Sequence, residues 1–255
     1  MRTTFLAIFL TVSVIFFFGF RYANETNFKT VTFKTTDNIN VTADIYESTR
    51  HDKDTSPIIL LFHQARFSRG EYREIAPKLN ELGYTCIAVD QRSGDKVNGV
   101  INQTHLEAKK EGLATKYPDA FPDLVATLNY AKKNYPNRKI IIWGSSYSSS
   151  LVFILGSEYA NDITGILSFS PGEYFEYKNK KIVDYAKQVK CPVFITSATD
   201  EHDSWKAIFE AVPNSNKQSF LPTEKGFHGS KALWEEKPGN AEYWKAVTKF
   251  LDSLK

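Results

Sequence analysis

The stretch NRKIIIWGSSYSSSLVFIL, residues 137–155, decides how this chain is read. An apolar run ends at Trp143 and Gly144, five serines follow within six positions, broken only by Tyr147, and an apolar run then resumes. A buried strand turning abruptly into a helix fits this pattern. So does a small-residue surface that lets a helix lie close to a strand. The difference is whether one serine is held on the turn. At a sharp strand-to-helix turn the residues two before and two after the turning residue approach closely, so both must be small. Ser146 has Gly144 before it and Ser148 after it. Ser145 would set Trp143 in that place, Ser149 would set Tyr147, and Ser150 would set Val152. Ser148 has small neighbours but lies further on, inside the predicted helix. Ser146 is therefore the serine that satisfies the turn and caps the strand end. The helix N-terminus beside it favours developing negative charge.

Outward from this point the chain alternates between two periodicities. FKTVTFKTT and INVTADIYES, flanking Asp37 and Asn38, predict an antiparallel hairpin. SPIILLFHQ is a continuous apolar run, as expected of a strand buried on both faces. GEYREIAPKLNELG predicts a helix, with Ser68 and Glu71 as a capping box and Pro77 as a kink or a true start. YTCIAVDQR, KIIIWG, ITGILSFSP, CPVFITSA and KQSFLPT predict strands. DLVATLNYAKKNY, YSSSLVFILGSEYA, IVDYAKQVK, SWKAIFEAV and AEYWKAVTKFLDSLK predict helices. A hairpin followed by strand–helix repeats implies an α/β fold. The expected sheet is doubly wound, mostly parallel and of about eight strands, with an antiparallel N-terminal hairpin. Residues 93–121 show no such pattern, and long irregular connections usually carry function. Between Pro171 and Cys191 there is no room for a large cap.

The bulk composition narrows the function. The chain has 255 residues, 42% hydrophobic, with a net charge of +3. That fits a single domain over 24–255. No basic tract interleaved with aromatics occurs, so nucleic acid is not an expected partner. The first residues differ: Arg2, an apolar run from Phe5 to Phe20, then Arg21, the layout of an export signal. The run is slightly short for a spanning helix, which needs about 20 residues. Residues 1–23 read as a signal peptide or an uncleaved N-terminal anchor, with membrane association through residues 5–20. In either case the body lies outside the cytoplasm, periplasmic, secreted or anchored. Cys86 and Cys191 each start a predicted strand and read as buried thiols.

Ligands of open α/β sheets bind at the carboxyl ends of the strands. The polar residues predicted there are His63, Gln64, Asp90, Arg92, Ser145, Ser146, Ser170, Thr199, Asp200 and Glu201, with His228 after the last strand. In this order the chain resembles the α/β-hydrolase family, in particular compact serine esterases and dienelactone-hydrolase-like members. GSSYS resembles the family's G-x-S-x-G elbow, with Ser148 for the last glycine. LLFHQA resembles its H-G-x strand, with Gln64 for the glycine. GYTCIAVDQRSG, SATDE and FHGS resemble its further strand, acid and histidine segments.

The resemblance implies that Ser146 is a nucleophile, that His228 exchanges its proton, and that Asp200 orients the imidazole. Glu201 and Asp203 are alternative acids, and Glu173 a more distant one. The resemblance also implies an oxyanion hole from the backbone N–H groups of Tyr147 and Ala65. Gln64 does not forbid it, because amides need only a backbone. His63 is expected to shape the same loop, and Asp90 and Arg92 to brace others. Phe67, Tyr147, Tyr174 and the 93–121 segment are expected to shape the substrate site. The implied activity is hydrolysis of a small-molecule ester or acyl substrate through an acyl-enzyme, with no cofactor and no metal. A peptidase or thioesterase on the same triad, and a non-catalytic binding protein on this fold, are the rival readings.

Overall fold

A computed structural model describes residues 28–254 apart from 49, 51–54, 214 and 216. The signal or anchor expected at residues 1–23 lies outside these residues. Among the described residues no helix is long and apolar enough to cross a membrane.

The strands are β1 (Lys29–Lys34), β2 (Asn40–Tyr46), β3 (Ile58–Phe62), β4 (Thr85–Val89), β5 (Lys96–Val97), β6 (Val100–Ile101), β7 (Ile140–Ser145), β8 (Gly165–Phe169), β9 (Val193–Thr196) and β10 (Lys217–Phe220). The helices are α1 (Ile75–Glu81), α2 (Gln103–Lys110), α3 (Phe121–Asn134), α4 (Tyr147–Glu158), α5 (Ile182–Ala186), α6 (His202–Ala211) and α7 (Asn240–Asp252). Eight strands form one sheet in the order β1-β2-β4-β3-β7-β8-β9-β10. The hairpin turns at Asn38, which takes φ 65°, and β2 runs antiparallel to both β1 and β4. The other pairings of this sheet are parallel. This is the doubly wound α/β arrangement that the strand–helix alternation implies.

The sheet divides the core in two. Ile58, Leu60 and Phe62 of β3 face the cluster built with α3, α4, α5 and α6. Ile59 and Leu61 face the cluster built with α1 and α7. Apolar side chains on both sides explain why β3, β4, β7 and β8 read as unbroken apolar runs. Cys86 and Cys191 are free, buried thiols.

Two local expectations fail. The 93–121 segment is not structureless: it holds the β5–β6 hairpin, α2 and a short 3₁₀ turn at Pro118–Ala120. Its strands are two residues long, too short for alternation to register. Ser68 and Glu71 do not form a helix capping box. Ser68 caps a 3₁₀ turn, Arg69–Tyr72, accepting the Gly70 amide, while Glu71 points into the protein and α1 starts only at Ile75.

Buried ion pairs fasten the loops at the sheet's edge. Arg69 bridges Asp44 at 3.0 Å and Asp90 at 2.6 Å. Arg92 donates to Asp123 from Nε at 3.0 Å and Nη2 at 2.7 Å, and reaches Asp37 with Nη1 at 2.5 Å. The Arg92 side chain is 3% exposed and that of Asp123 is 0%. Removing the arginine would strand a fully buried carboxylate. Arg92→Met is expected to lower stability by about 3–5 kcal/mol, read as the urea midpoint of the folded chain. A midpoint unchanged from wild type would show that this pair carries no weight.

Candidate active site

The site grows from the junction of β7 and α4. Ser146 takes φ 57° and ψ −123°, a left-handed conformation that a side-chain-bearing residue adopts only under constraint. The constraint is contact. A methyl group at Gly144 would lie 2.3 Å from the carbonyl oxygen of Ser148 and 2.6 Å from Cα of Ser149. The Ser146 amide donates to the Phe169 carbonyl of β8 at 2.8 Å, which fixes the turn against the next strand. The other serines are more than a small-residue surface. Ser148 Oγ donates to the His63 carbonyl at 2.5 Å, and Ser150 Oγ to the Gly172 carbonyl at 2.7 Å. Ser149 Oγ donates to the Ser146 carbonyl.

His228 lies in the loop after β10, with Nε2 2.8 Å from Ser146 Oγ. Its Nδ1 faces a carboxylate oxygen of Glu201. With Nδ1 protonated toward Glu201, Nε2 is left to accept the Ser146 hydroxyl proton. Glu201 Oε2 also accepts the Ser170 hydroxyl at 2.6 Å and the Ala198 amide at 3.3 Å. Burial raises the pKa of Glu201, but the His228 and Ser170 hydrogen bonds outweigh it and hold the carboxyl below its ordinary range.

Asp200, expected to orient the imidazole, is not the carboxylate that meets His228. Asp200 points outward to Lys225, 2.8 Å away, and that hydrogen bond lowers its pKa. The two residues share the 3₁₀ turn Thr199–Glu201. Such a turn has three residues per revolution, so neighbouring side chains diverge by about 120°. With Asp200 facing solvent, Glu201 faces inward, and its extra methylene spans the remaining distance. The turn is held to the histidine loop by the Thr199 amide, which donates to the Lys225 carbonyl at 2.8 Å. Asp203 is exposed on α6. Glu173 accepts the Ile182 and Val183 amides and so caps α5.

The amides expected to form the oxyanion hole belong to Ala65, after β3, and Tyr147, first in α4. Among the described residues, no turn or loop backbone hydrogen bond uses either of them. His63 braces this loop. Its Nε2 accepts the Gln91 amide at 2.9 Å, so Nδ1 carries the proton donated to the Gln64 carbonyl at 2.8 Å. Burial pushes its pKa down to about 4, which keeps the ring neutral. Asn102, itself fully buried, joins the brace. Its Nδ2 donates to the Gln91 carbonyl at 2.8 Å and lies 3.1 Å from His63 Nε2, while its Oδ1 caps α2.

A cleft of about 370 Å³ opens over Ser146, lined by Gln64, Ala65, Arg66, Phe67, Tyr117 and His228. Phe67 stands in this wall as expected, and the 93–121 segment contributes Tyr117. Tyr147 does not line it. Its ring is fully buried and stacks under Tyr117 with centroids 4.7 Å apart. Tyr174 bonds the Ser170 carbonyl at 2.7 Å. Sequence reasoning missed the hydrogen bond of Ser170 to Glu201 and the place of Arg66 in the cleft wall. Ser170 left a trace, as a polar residue at a strand end.

The family model described as serine aminopeptidase, S33, matches residues 53–216. No curated protein matches the sequence. Among solved structures, an esterase of Pyrococcus furiosus is similar, with a TM-score of 0.68 at 20% identity, over 89% of this chain and 93% of that one. Dienelactone hydrolase of Anabaena variabilis gives 0.68 at 12% identity, over 89% and 97%. An acylaminoacyl peptidase of Pyrococcus horikoshii gives 0.64 at 14% identity, over 89% of this chain and 41% of that one. Identities this low establish a shared fold.

The close approach at the turn can be tested alone. Gly144→Ala forces α4 away from β7 and is expected to lower stability by about 1–3 kcal/mol, measured by urea unfolding. An unaltered midpoint would remove the steric account of the turn.

Proposed function

The chain belongs to the serine aminopeptidase S33 family and is a serine hydrolase of the α/β fold, and from that premise we propose that it cleaves a small carboxylic ester through an acyl-enzyme. The observation that carries this reading is the hydrogen-bonded chain Glu201–His228–Ser146, with its serine on a constrained turn. Ser146 Oγ attacks the ester carbonyl while His228 Nε2 takes its proton. Glu201 holds the imidazole in the required tautomer and stabilises the imidazolium, the role that Asp or Glu fills on this fold. The Ala65 and Tyr147 amides receive the oxyanion. His228 then passes the proton to the leaving alcohol, and water repeats the sequence to release the acid.

The cleft favours an ester over a peptide with a free N-terminus. A terminal ammonium needs an anion to receive it. The wall carries one formal charge, the exposed Arg66, and no carboxylate. Glu201 is engaged by His228 and Ser170, and Asp200 faces away toward Lys225. The volume suits short acyl groups, being near the lower end of ligand pockets, which run from about 300 to 1,000 Å³.

A fluorophosphonate probe is expected to label wild-type protein and to leave Ser146→Ala unlabelled. A folded wild-type chain that takes no label would refute the hydrolase reading. Glu201→Gln is expected to lower kcat by roughly 10²–10⁴-fold, while Asp200→Asn stays within about two-fold. The reverse order would return the acid to position 200. Short-chain p-nitrophenyl esters should exceed aminoacyl anilides in kcat/KM by roughly ten-fold or more, with thioesters in the same panel. Anilides in the lead would make the chain a peptidase.

The proposal of export rests on residues 1–23 alone. Fractionation of the full-length chain should find it outside the cytoplasm or at the membrane, and a wholly cytoplasmic pool would count against it.

A further inference from the structure

One buried carboxylate has no part in the Ser146–His228–Glu201 chain. Glu71 is fully buried on the 3₁₀ turn after β3. Its two oxygens reach in different directions. Oε2 accepts the Gln64 amide at 2.7 Å, and Oε1 accepts the Ser145 hydroxyl at 2.7 Å. Gln64 immediately precedes Ala65. Ser145 precedes the nucleophile, and Tyr147 follows it. The carboxylate thus grips the chain just ahead of each proposed oxyanion amide. The histidine loop joins the same knot. Ser145 Oγ accepts the Ser230 amide at 2.8 Å, two residues beyond His228. Between them Gly229, at φ 72°, lies so close that a Cβ would meet Gln64 Oε1 and Ser145 Oγ, each at 2.6 Å.

The hydrogen bonds of this knot favour the ionised form of Glu71. Ser145 Oγ accepts from Ser230 and directs its own proton to Glu71. The Gln64 amide can only donate. With both donors aimed at it, each Glu71 oxygen accepts, which suits a carboxylate. A proton on Oε2 would oppose the Gln64 amide, and one on Oε1 would take from the Ser145 hydroxyl the acceptor it now uses. The charged and titratable groups facing Glu71 are Lys231 and His228 from the histidine loop, both favouring the anion, and Tyr72 on its own turn. Trp234 Nε1 bonds the Glu71 backbone carbonyl at 2.9 Å.

We propose that Glu71, in its ionised form, is a positioning residue that sets the spacing of the Ala65 and Tyr147 amides and so the activity of the oxyanion hole. The proposal rests on the hydrolase reading above. Burial pushes Glu71 up to about 7, against the Gln64 and Ser145 hydrogen bonds that favour the anion. A raised value means that the anion is present above about 7 and is lost as pH falls through it. His228 must also be neutral for attack. The acid limb of log kcat/KM against pH should therefore steepen toward a slope of about two in wild type.

The test is Glu71→Gln in the full chain, folded by circular dichroism, assayed with a short-chain p-nitrophenyl ester. The expected result is a kcat lower by about 10- to 100-fold, less than the roughly 10²–10³-fold for losing a donor outright. KM should stay within about two-fold, and the acid limb should relax to a slope of about one. Ser145→Ala, which removes one grip and keeps the carboxylate, should lose several-fold in kcat and keep the steep limb. A Glu71→Gln enzyme with wild-type kcat, or with the wild-type slope, overturns the proposal. If that variant does not fold, a Ser145→Ala enzyme with unchanged kcat overturns it. Slow fluorophosphonate labelling of Glu71→Gln that reaches the wild-type end point supports it. Absence of labelling in wild type overturns the hydrolase reading instead, and this proposal with it.

Discussion

The left-handed backbone of Ser146 is tolerable only because everything around it agrees. A residue in that conformation costs about 1–3 kcal/mol unless its surroundings impose it. Here the surroundings are a glycine two residues earlier, a helix pressed against the strand, and an amide donated to the neighbouring strand. The turn delivers the serine hydroxyl to the strand ends, where β8 brings Ser170, β9 leads to the Glu201 turn, and β3 leads into the Gln64–Ala65 loop. Moving α4 would displace the partners of all three.

Around that turn the interior is unusually polar. Ser145, Ser148, Ser149, Ser150, Ser168, Gln91, His63, Asn102 and Glu71 are all fully buried. Each hydroxyl in the group donates to a named acceptor, and most of those acceptors are backbone carbonyls of loops rather than of helices or strands. A buried polar network that is satisfied specifies one arrangement, because any slip strands a donor. Loops that would otherwise be soft are held at the precision that the proposed chemistry asks of them. Gln64 and Tyr147 mark the exceptions, each with a buried side-chain oxygen that has no hydrogen-bond partner among the described residues. Where the resembling family has a glycine, this chain has a side chain folded back over Gly229.

Much of the fold was legible because its signals are local and redundant. Runs such as IILLF and IIIWG are apolar at every position, and only a strand covered on both faces needs that. Ser146 was legible for a similar reason: the close approach involves residues two away, so the sequence itself lists the candidates. The acid was not. Asp200 and Glu201 are adjacent carboxylates on one turn, and which of them faces inward depends on the phase of that turn against the histidine loop, a tertiary matter. Glu71 was misread for a subtler reason. Three residues after a serine and ahead of an apolar run, it satisfies the sequence pattern of a helix cap, and nothing local reveals that its side chain has a better partner elsewhere. The β5–β6 hairpin and α2 escaped because two-residue strands and a polar helix leave no periodic trace.

Asn102 carries a further consequence. It opens the triplet Asn-Gln-Thr, an acceptor sequence for N-linked glycans, and Asn40 opens another, Asn-Val-Thr. In the folded protein the Asn40 amide is held by Glu107, and the Asn102 amide is sealed beside His63 and Gln91 with no exposed surface. A sugar can reach Asn102 only before the chain folds, and once attached it would occupy the space in which the loop under the cleft is locked. Passage through a glycosylating secretory route would thus set modification against folding, and the molecules modified at this asparagine would be those unable to complete the site.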